Sequence, residues 1–203
     1  MGILLGVTLP LIILAYVAYY FLAPESESDF FKNFSLVGRT LALLALVVAT
    51  IGCDRVTKHT AMTSLEGKPS RSFFADTVRL EYAENRGGFL SLGANLPPAI
   101  RTVIFTIGTG LILVGTLIAA IKLRFTGWQF SGLSLMWAGG ASNWVDRILR
   151  DSVVDFLNVG VGSLRTGVFN VADVAVMLGA CILAFANRRP NNFPKPEEQR
   201  KQS

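Results

Sequence analysis

Four aspartates stand in or beside apolar segments of this chain: Asp54, Asp146, Asp155 and Asp173. A carboxylate at membrane depth costs roughly 2.5–3.5 kcal/mol on insertion scales, and it normally faces a protein interior or a wet cavity. Asp155 lies within Val153-Val154-Asp155-Phe156-Leu157, an apolar setting that raises a carboxyl pKa by desolvation. Asp173 opens the apolar run 174–187 and must be carried inward by it. Two carboxylates brought close cannot both ionise easily, so one keeps a proton while the other activates water. That is hydrolysis of the aspartic-protease kind. Other hydrolytic sets are missing: the one histidine, His59, and two cysteines, Cys53 and Cys181, make neither a zinc site nor a disulfide framework. Both cysteines read as packing residues in apolar runs.

Further polar groups recur at helical spacing. Asp54 and Lys58, four apart, share a helix face and can pair, either as an interfacial ion pair with Lys58 snorkelling or as part of a site. Asn143, Asp146 and Arg147 lie at i, i+3 and i+4 and form one polar helix face, which is either a structural anchor or part of the same site. Arg147 is expected to pair with Asp146 or to hydrogen-bond backbone carbonyls. Asn170 and Asp173 repeat the i, i+3 spacing, and Asn85-Arg86-Gly87-Gly88 is a turn signal.

The elements that must position these groups follow from charge-free runs. The chain has 203 residues, of which 51% are hydrophobic and only 16% charged, against roughly 25% charged in ordinary soluble domains. Runs 2–24, 102–121 and 125–145 carry no charge and approach or exceed the ~20 residues needed to span a bilayer. Runs 40–53 and 174–187 are shorter, so helices there must take in flanking charges. Alternating four helices across a bilayer, with 2–24 as an extra N-terminal hydrophobic helix, brings Asp54, Asp146, Asp155 and Asp173 to one face. Between the helices, Val78, Leu80 and Tyr82 alternate with Thr77, Arg79 and Glu81, predicting a half-buried strand in a small β element over the bundle. Residues 146–167 are expected to be irregular.

The expected organisation is an N-terminal hydrophobic segment and linker over 1–35, a membrane domain over 36–187, and a disordered basic tail over 188–203. That tail holds five Lys and Arg, which favours a cytoplasmic C-terminus. The net charge of +5 is scattered among apolar segments, so membrane lipids rather than nucleic acid are the expected partner of its basic residues.

In their order along the chain these motifs resemble the lipoprotein signal peptidase, or signal peptidase II, family. Asp54-Arg55-Val56-Thr57-Lys58 is similar to its D-x-x-[ST]-K block, Asn85-Arg86-Gly87 to its N-x-G block, and Asn143-Trp144-Val145-Asp146-Arg147 to its N-x-x-D-R block. Val153-Val154-Asp155-Phe156 and Phe169-Asn170-Val171-Ala172-Asp173 resemble the two blocks that carry the family's catalytic aspartates. The resemblance implies that Asp155 and Asp173 are the catalytic dyad. It makes Asp54, Lys58, Asn85, Asn143, Asp146, Arg147 and Asn170 the supporting, substrate-binding residues. It implies a polytopic all-α membrane protein of the bacterial inner membrane: a four-helix transmembrane bundle with a small β-cradle on the periplasmic or extracellular side. The implied reaction is cleavage of diacylglyceryl-modified prolipoproteins before the lipidated cysteine, by a monomer, with no cofactor or metal and with sensitivity to globomycin. Departures are Phe89 one place early after Asn85-Arg86-Gly87, Ser142 where the family has Gly, and the added N-terminal segment.

Two other readings use the same residues. A proton-coupled transporter also needs intramembrane aspartates, but the carboxylates cluster at one face and 102–121 offers no charged path. A non-catalytic relative that binds lipopeptides would keep the pocket without turnover.

Overall fold

The computed structural model describes residues 36–122 and 127–186. The hydrophobic helix expected over 2–24 and the tail expected to be disordered lie outside these residues. Helix α1 (Leu36–Leu65) runs for 30 residues, about 45 Å at the α-helical rise, because the apolar run 40–53 continues through Asp54, Arg55 and Lys58 without a Gly-Pro break. Helix α2 starts at Pro98, where proline's missing N–H costs nothing. It passes through a π-helical stretch, Thr102–Gly108, and ends as Thr109–Lys122. Within it, Pro98–Ala120 is long and apolar enough to cross a membrane, with mean hydropathy 2.3. Helix α3 spans Gly127–Arg150 and α4 spans Val171–Ala186.

Helices α3 and α4 form the tightest pair because glycines let their backbones meet. A Cβ on Gly179 would lie 2.5 Å from the Gly132 carbonyl, and one on Gly139 would collide with the Ala172 carbonyl. Small residues at such contacts are the usual means of close helix approach in apolar surroundings. Here the contact fixes the start of α4 against α3.

A four-stranded antiparallel sheet, ordered β1 (Arg71–Phe73), β2 (Val78–Asn85), β3 (Val153–Val161) and β4 (Leu164–Arg165), covers one end of the helices. The strand expected over 77–82 is therefore longer, and the stretch expected to be irregular at 146–167 is instead the end of α3 followed by β3. Residues 153–157 are buried throughout, so β3 lacks the alternation that marks a half-exposed strand. Pairing passes from Leu80↔Leu157 to Ala83↔Asp155 through a one-residue register shift. At the far end of the sheet Asp76 accepts hydrogen bonds from Arg79 (2.7 and 2.5 Å) and Ser72 (2.7 Å), while Arg165 donates to the Asp76 carbonyl (2.7 Å). Those contacts tie the two hairpin tips together, and they hold the Asp76 carboxyl well below the usual range.

The core joins sheet to bundle: Leu65 of α1, Leu80 of β2, Phe156 of β3, Leu135 of α3 and Val171 of α4 are all buried. Cys53 packs against this core, but Cys181 is exposed on α4, contrary to its reading as a packing residue.

Candidate active site

Each site residue is placed by an element end. Asn170 caps α4: its Oδ1 accepts the Asp173 N–H (2.9 Å), while the Asp173 Oδ2 accepts the Asn170 N–H (3.1 Å). This reciprocal capping box ties down two orphan donors and fixes the Asp173 side chain at the same time. Asn170 also donates through Nδ2 to Asp155 Oδ1 (2.6 Å), so one amide spans both aspartates.

Asp155 is held from β3. Its Oδ2 accepts from Asn85 Nδ2 (3.0 Å), which the β2–β3 register sets diagonally across on the same face, Ala83 lying opposite Asp155 and Asn85 opposite Val153. Asn85 ends its strand in an Asx turn, with Oδ1 accepting the Gly87 N–H (2.9 Å) and Nδ2 reaching the Gly88 carbonyl (3.0 Å). Asp155 is buried, whereas Asp173 is half-buried. Desolvation, then the charge of Asp173, pushes the Asp155 pKa up to about 7.

Behind the pair lies a buried ion cluster between α1 and α3. Lys58 Nζ donates to Asn143 Oδ1 (2.7 Å) and forms ion pairs with Asp54 Oδ2 (2.7 Å) and Asp146 Oδ2 (2.7 Å). Asn143 passes that constraint on by donating Nδ2 to Asp173 Oδ1 (2.9 Å). Asp54 Oδ1 accepts the Ala172 N–H (2.9 Å) at the start of α4, and its Oδ2 accepts the Ser142 hydroxyl (2.6 Å). The Asp54–Lys58 pair is thus buried among helices rather than snorkelling at an interface.

Arg147 takes the second of its two expected roles. It donates to the Gly87 carbonyl (2.8 Å), and its guanidinium lies 6.0 Å above the Phe105 ring from the π-helical stretch. Asp146 is paired with Arg55 (2.5 Å) and Lys58, so the alternative Asp146–Arg147 pair is replaced by pairs across to α1. The reason is helical geometry: adjacent residues point about 100° apart, and Asp146 faces α1 while Arg147 faces the turn after β2.

The nine residues singled out in the sequence come together. Asp54, Lys58, Asn143, Asp146, Asn170, Asp173, Asp155 and Asn85 form one continuous network, and Arg147 joins it through Gly87. Sequence reasoning missed Arg55, which also donates to the Ser142 carbonyl, and gave Ser142 no role beyond a departure. The signal available was their position inside the D-x-x-T-K and S-N-W-V-D-R blocks. Chemically, the arrangement offers two neighbouring carboxyls of unequal burial, each with both oxygens accepting, backed by fixed positive charge.

Known proteins share this framework. The chain is 34% identical to a lipoprotein signal peptidase of Chlorobium luteolum, over 80% of this chain and 98% of that one. It is 30% identical to that of Chlorobium phaeobacteroides, over 71% of this chain and 85% of that one. A solved bacterial membrane enzyme superposes with a TM-score of 0.65 at 22% identity, covering 75% of this chain and 94% of the other. Residues 46–187 match the profile described as signal peptidase (SPase) II, a span that contains every group of the network above. The chain belongs to the signal peptidase II family.

Proposed function

We propose that this peptidase is an aspartic endopeptidase that removes signal peptides from diacylglyceryl-modified prolipoproteins, with Asp155 and Asp173 as its catalytic dyad. The observation that carries the assignment is Asn170, whose backbone and side chain hold both carboxyls at once. Asp155, buried and with its pKa pushed up to about 7, holds the shared proton and polarises the scissile carbonyl. Asp173, half-buried at a helix N-terminus that favours negative charge, removes a proton from water. Water attacks the carbonyl carbon and Asp155 protonates the developing oxyanion to give a gem-diol; collapse then breaks the C–N bond as the amine takes a proton from Asp173 and a gem-diol hydroxyl returns one to Asp155. Asn143 and Asp54 are positioning residues, because they reach Asp173 and the start of α4 rather than a reacting atom, and Lys58 acts through both of them.

In this reading α1 to α4 all cross the bacterial inner membrane, the sheet and dyad lie on its periplasmic or extracellular side, and residues 36–187 form the catalytic domain, active as a monomer. Support comes from the apolar stretch Pro98–Ala120 and from the exposed aliphatic side chains along α2, among them Leu111 and Ile112. The test is cleavage of a diacylglyceryl-modified prolipoprotein by purified protein in lipid or detergent. Processing before the modified cysteine is expected, together with none by Asp155→Asn or Asp173→Asn. A folded protein that binds the lipopeptide without cleaving it would overturn the enzymatic reading.

A further inference from the structure

The first turns of α2 reach the site through one aromatic ring. Phe105 is half-buried, beneath the Arg147 guanidinium and against the turn that follows β2. A Cβ on Gly88 would lie 3.0 Å from its Cε1 and one on Gly93 3.0 Å from its Cζ, so the ring fits where these two residues have no side chain. The turn is closed on itself, with the Gly88 N–H donating to the Leu92 carbonyl (2.8 Å) and Gly93 at a φ of +75°. From here the contacts lead to the dyad. Arg147 donates to the Gly87 carbonyl, Asn85 Oδ1 accepts the Gly87 N–H, and Asn85 Nδ2 donates to Asp155 Oδ2.

What brings Phe105 to this place is the π-helical stretch Thr102–Gly108. Leu113 is buried and its carbonyl accepts from Trp137 Nε1 (3.1 Å), which marks the side of α2 that faces α3. At ~100° per residue, an unbroken α-helix would turn Phe105, eight residues earlier, about 80° from that side, and Arg101, twelve earlier, about 120°. The wider i→i+5 turn takes up roughly one extra residue and returns both to within about 20° of it. The contacts follow the shifted register: Arg101 is buried with its Nη2 3.7 Å from Asp151 Oδ2, and Phe105 lies under Arg147, one turn away on α3. Val103, Ile104 and Ile107 of the same stretch are exposed. Trp144 holds the stretch to α3 by donating through Nε1 to the Thr106 carbonyl (2.8 Å), its ring seated over Gly110, where a Cβ would lie 3.1 Å from it.

We propose that Phe105 is a positioning residue for the peptidase reaction: turned inward by the π-helical stretch, its ring holds Arg147 and the glycine turn so that Asn85 keeps Asp155 in place. Such wide turns are frequent at functional sites, and here the extra residue has a definite task, to rotate one ring into the support of the dyad. This inference deepens the dyad reading and rests on it. Because Phe105 acts through Arg147 and the turn, its loss should reach kcat and leave substrate binding alone.

The experiment is steady-state and single-turnover cleavage of a diacylglyceryl-modified prolipoprotein by full-length variants in one detergent, with Tm measured on the same preparations. Phe105→Leu keeps apolar bulk but removes the ring face, and should lower kcat by about 10²-fold with little change in KM or Tm. Asn85→Ala breaks the far end of the same chain of contacts, so adding Phe105→Leu to it should lower the residual single-turnover rate by less than about twofold. Gly88→Ala, whose Cβ would press on the ring, probes the contact from the other side and should reproduce the kcat loss if Phe105→Leu does not fold. Ile107→Ala, exposed on the same stretch, should match the unaltered protein. An unchanged kcat in Phe105→Leu, a raised KM with kcat preserved, an equal loss in Ile107→Ala, or a full multiplicative loss on top of Asn85→Ala each overturn the proposal. Cleavage by the unaltered protein and not by Asp155→Asn, with Phe105→Leu as fast as the unaltered protein, rejects the positioning role alone. No cleavage by the unaltered protein rejects the dyad reading and this inference with it.

Discussion

The strand that carries Asp155 and the helix start that carries Asp173 hold the same functional group by opposite means. Asp173 is fixed locally, by a residue three positions away whose amide and backbone both engage it. Asp155 is fixed by partners 15 and 70 residues distant and by near-complete removal from water. The local device needs only α4 to fold. The distant one needs β2, β3 and the start of α4 to meet. The contrast teaches that one carboxyl is placed by secondary structure and the other by tertiary structure, with Asn170 as the joint between them.

The largest expected effect removes the chemistry from either side. Asp155→Asn and Asp173→Asn should each lower turnover by at least ~10³-fold, and the double variant should be little worse, because groups acting as a unit are not additive. Lipopeptide binding measured on the same preparations should persist. Retained turnover in either variant would remove that aspartate from the mechanism.

Next is the shared support behind both. Asp146→Asn leaves Arg55 and Lys58 short of a counter-charge in a buried cluster, a kind of loss that costs about 3–5 kcal/mol where both partners are buried. Arg55 is one-third exposed, so about 2–3 kcal/mol is expected, read as a lower yield and a lower Tm. An unchanged Tm would show that the cluster does not hold α1 to α3.

Asn170 allows the comparison to be split. Asn170→Ala should cost about 1 kcal/mol of helix capping and most of the activity. Asn170→Ser restores an N-cap oxygen for the Asp173 N–H but not the reach to Asp155. Stability should therefore return while kcat stays low. If the serine variant recovers both, the bridge between the aspartates is not needed.

The smallest effect is a pH dependence. With its folded pKa raised from the ordinary 3.8 to about 7, Asp155 contributes stability that is full below pH 3.8 and lost as pH rises through 7. The Tm should fall across that window in the unaltered protein and fall less in Asp155→Asn. Asp76→Asn, at the far end of the sheet, should leave both the window and the turnover as they are, and a change in either would show that the hairpin tips communicate with the site.

What was legible in the sequence follows the same divide. The Asn170–Asp173 and Asp54–Lys58 relations are spacings of three and four residues, readable wherever a helix is expected. The strand at β2 announced itself by alternation in Val78-Arg79-Leu80-Glu81-Tyr82. The strand at β3 did not, because a continuous apolar run buried on both faces has no period to detect. The role of Arg55 was invisible for a related reason: its partner lies 91 residues away on α3, and only the packing of α1 on α3 shows which neighbour of Asp54 turns inward. Family resemblance located the residues, whereas their pairing required the packed helices.

The one-residue register shift between Leu80 and Ala83 makes the sheet a ruler as well as a cover. Without it Asn85 would meet the residue next along β3, and its amide would turn to the opposite face from Asp155. Chain length is therefore constrained in some places and free in others. The tips around Ala75 and Ser163 can lengthen without moving the dyad, but between Leu80 and Asn85 a single inserted or deleted residue would leave a sheet that folds and a site that cannot hold its proton.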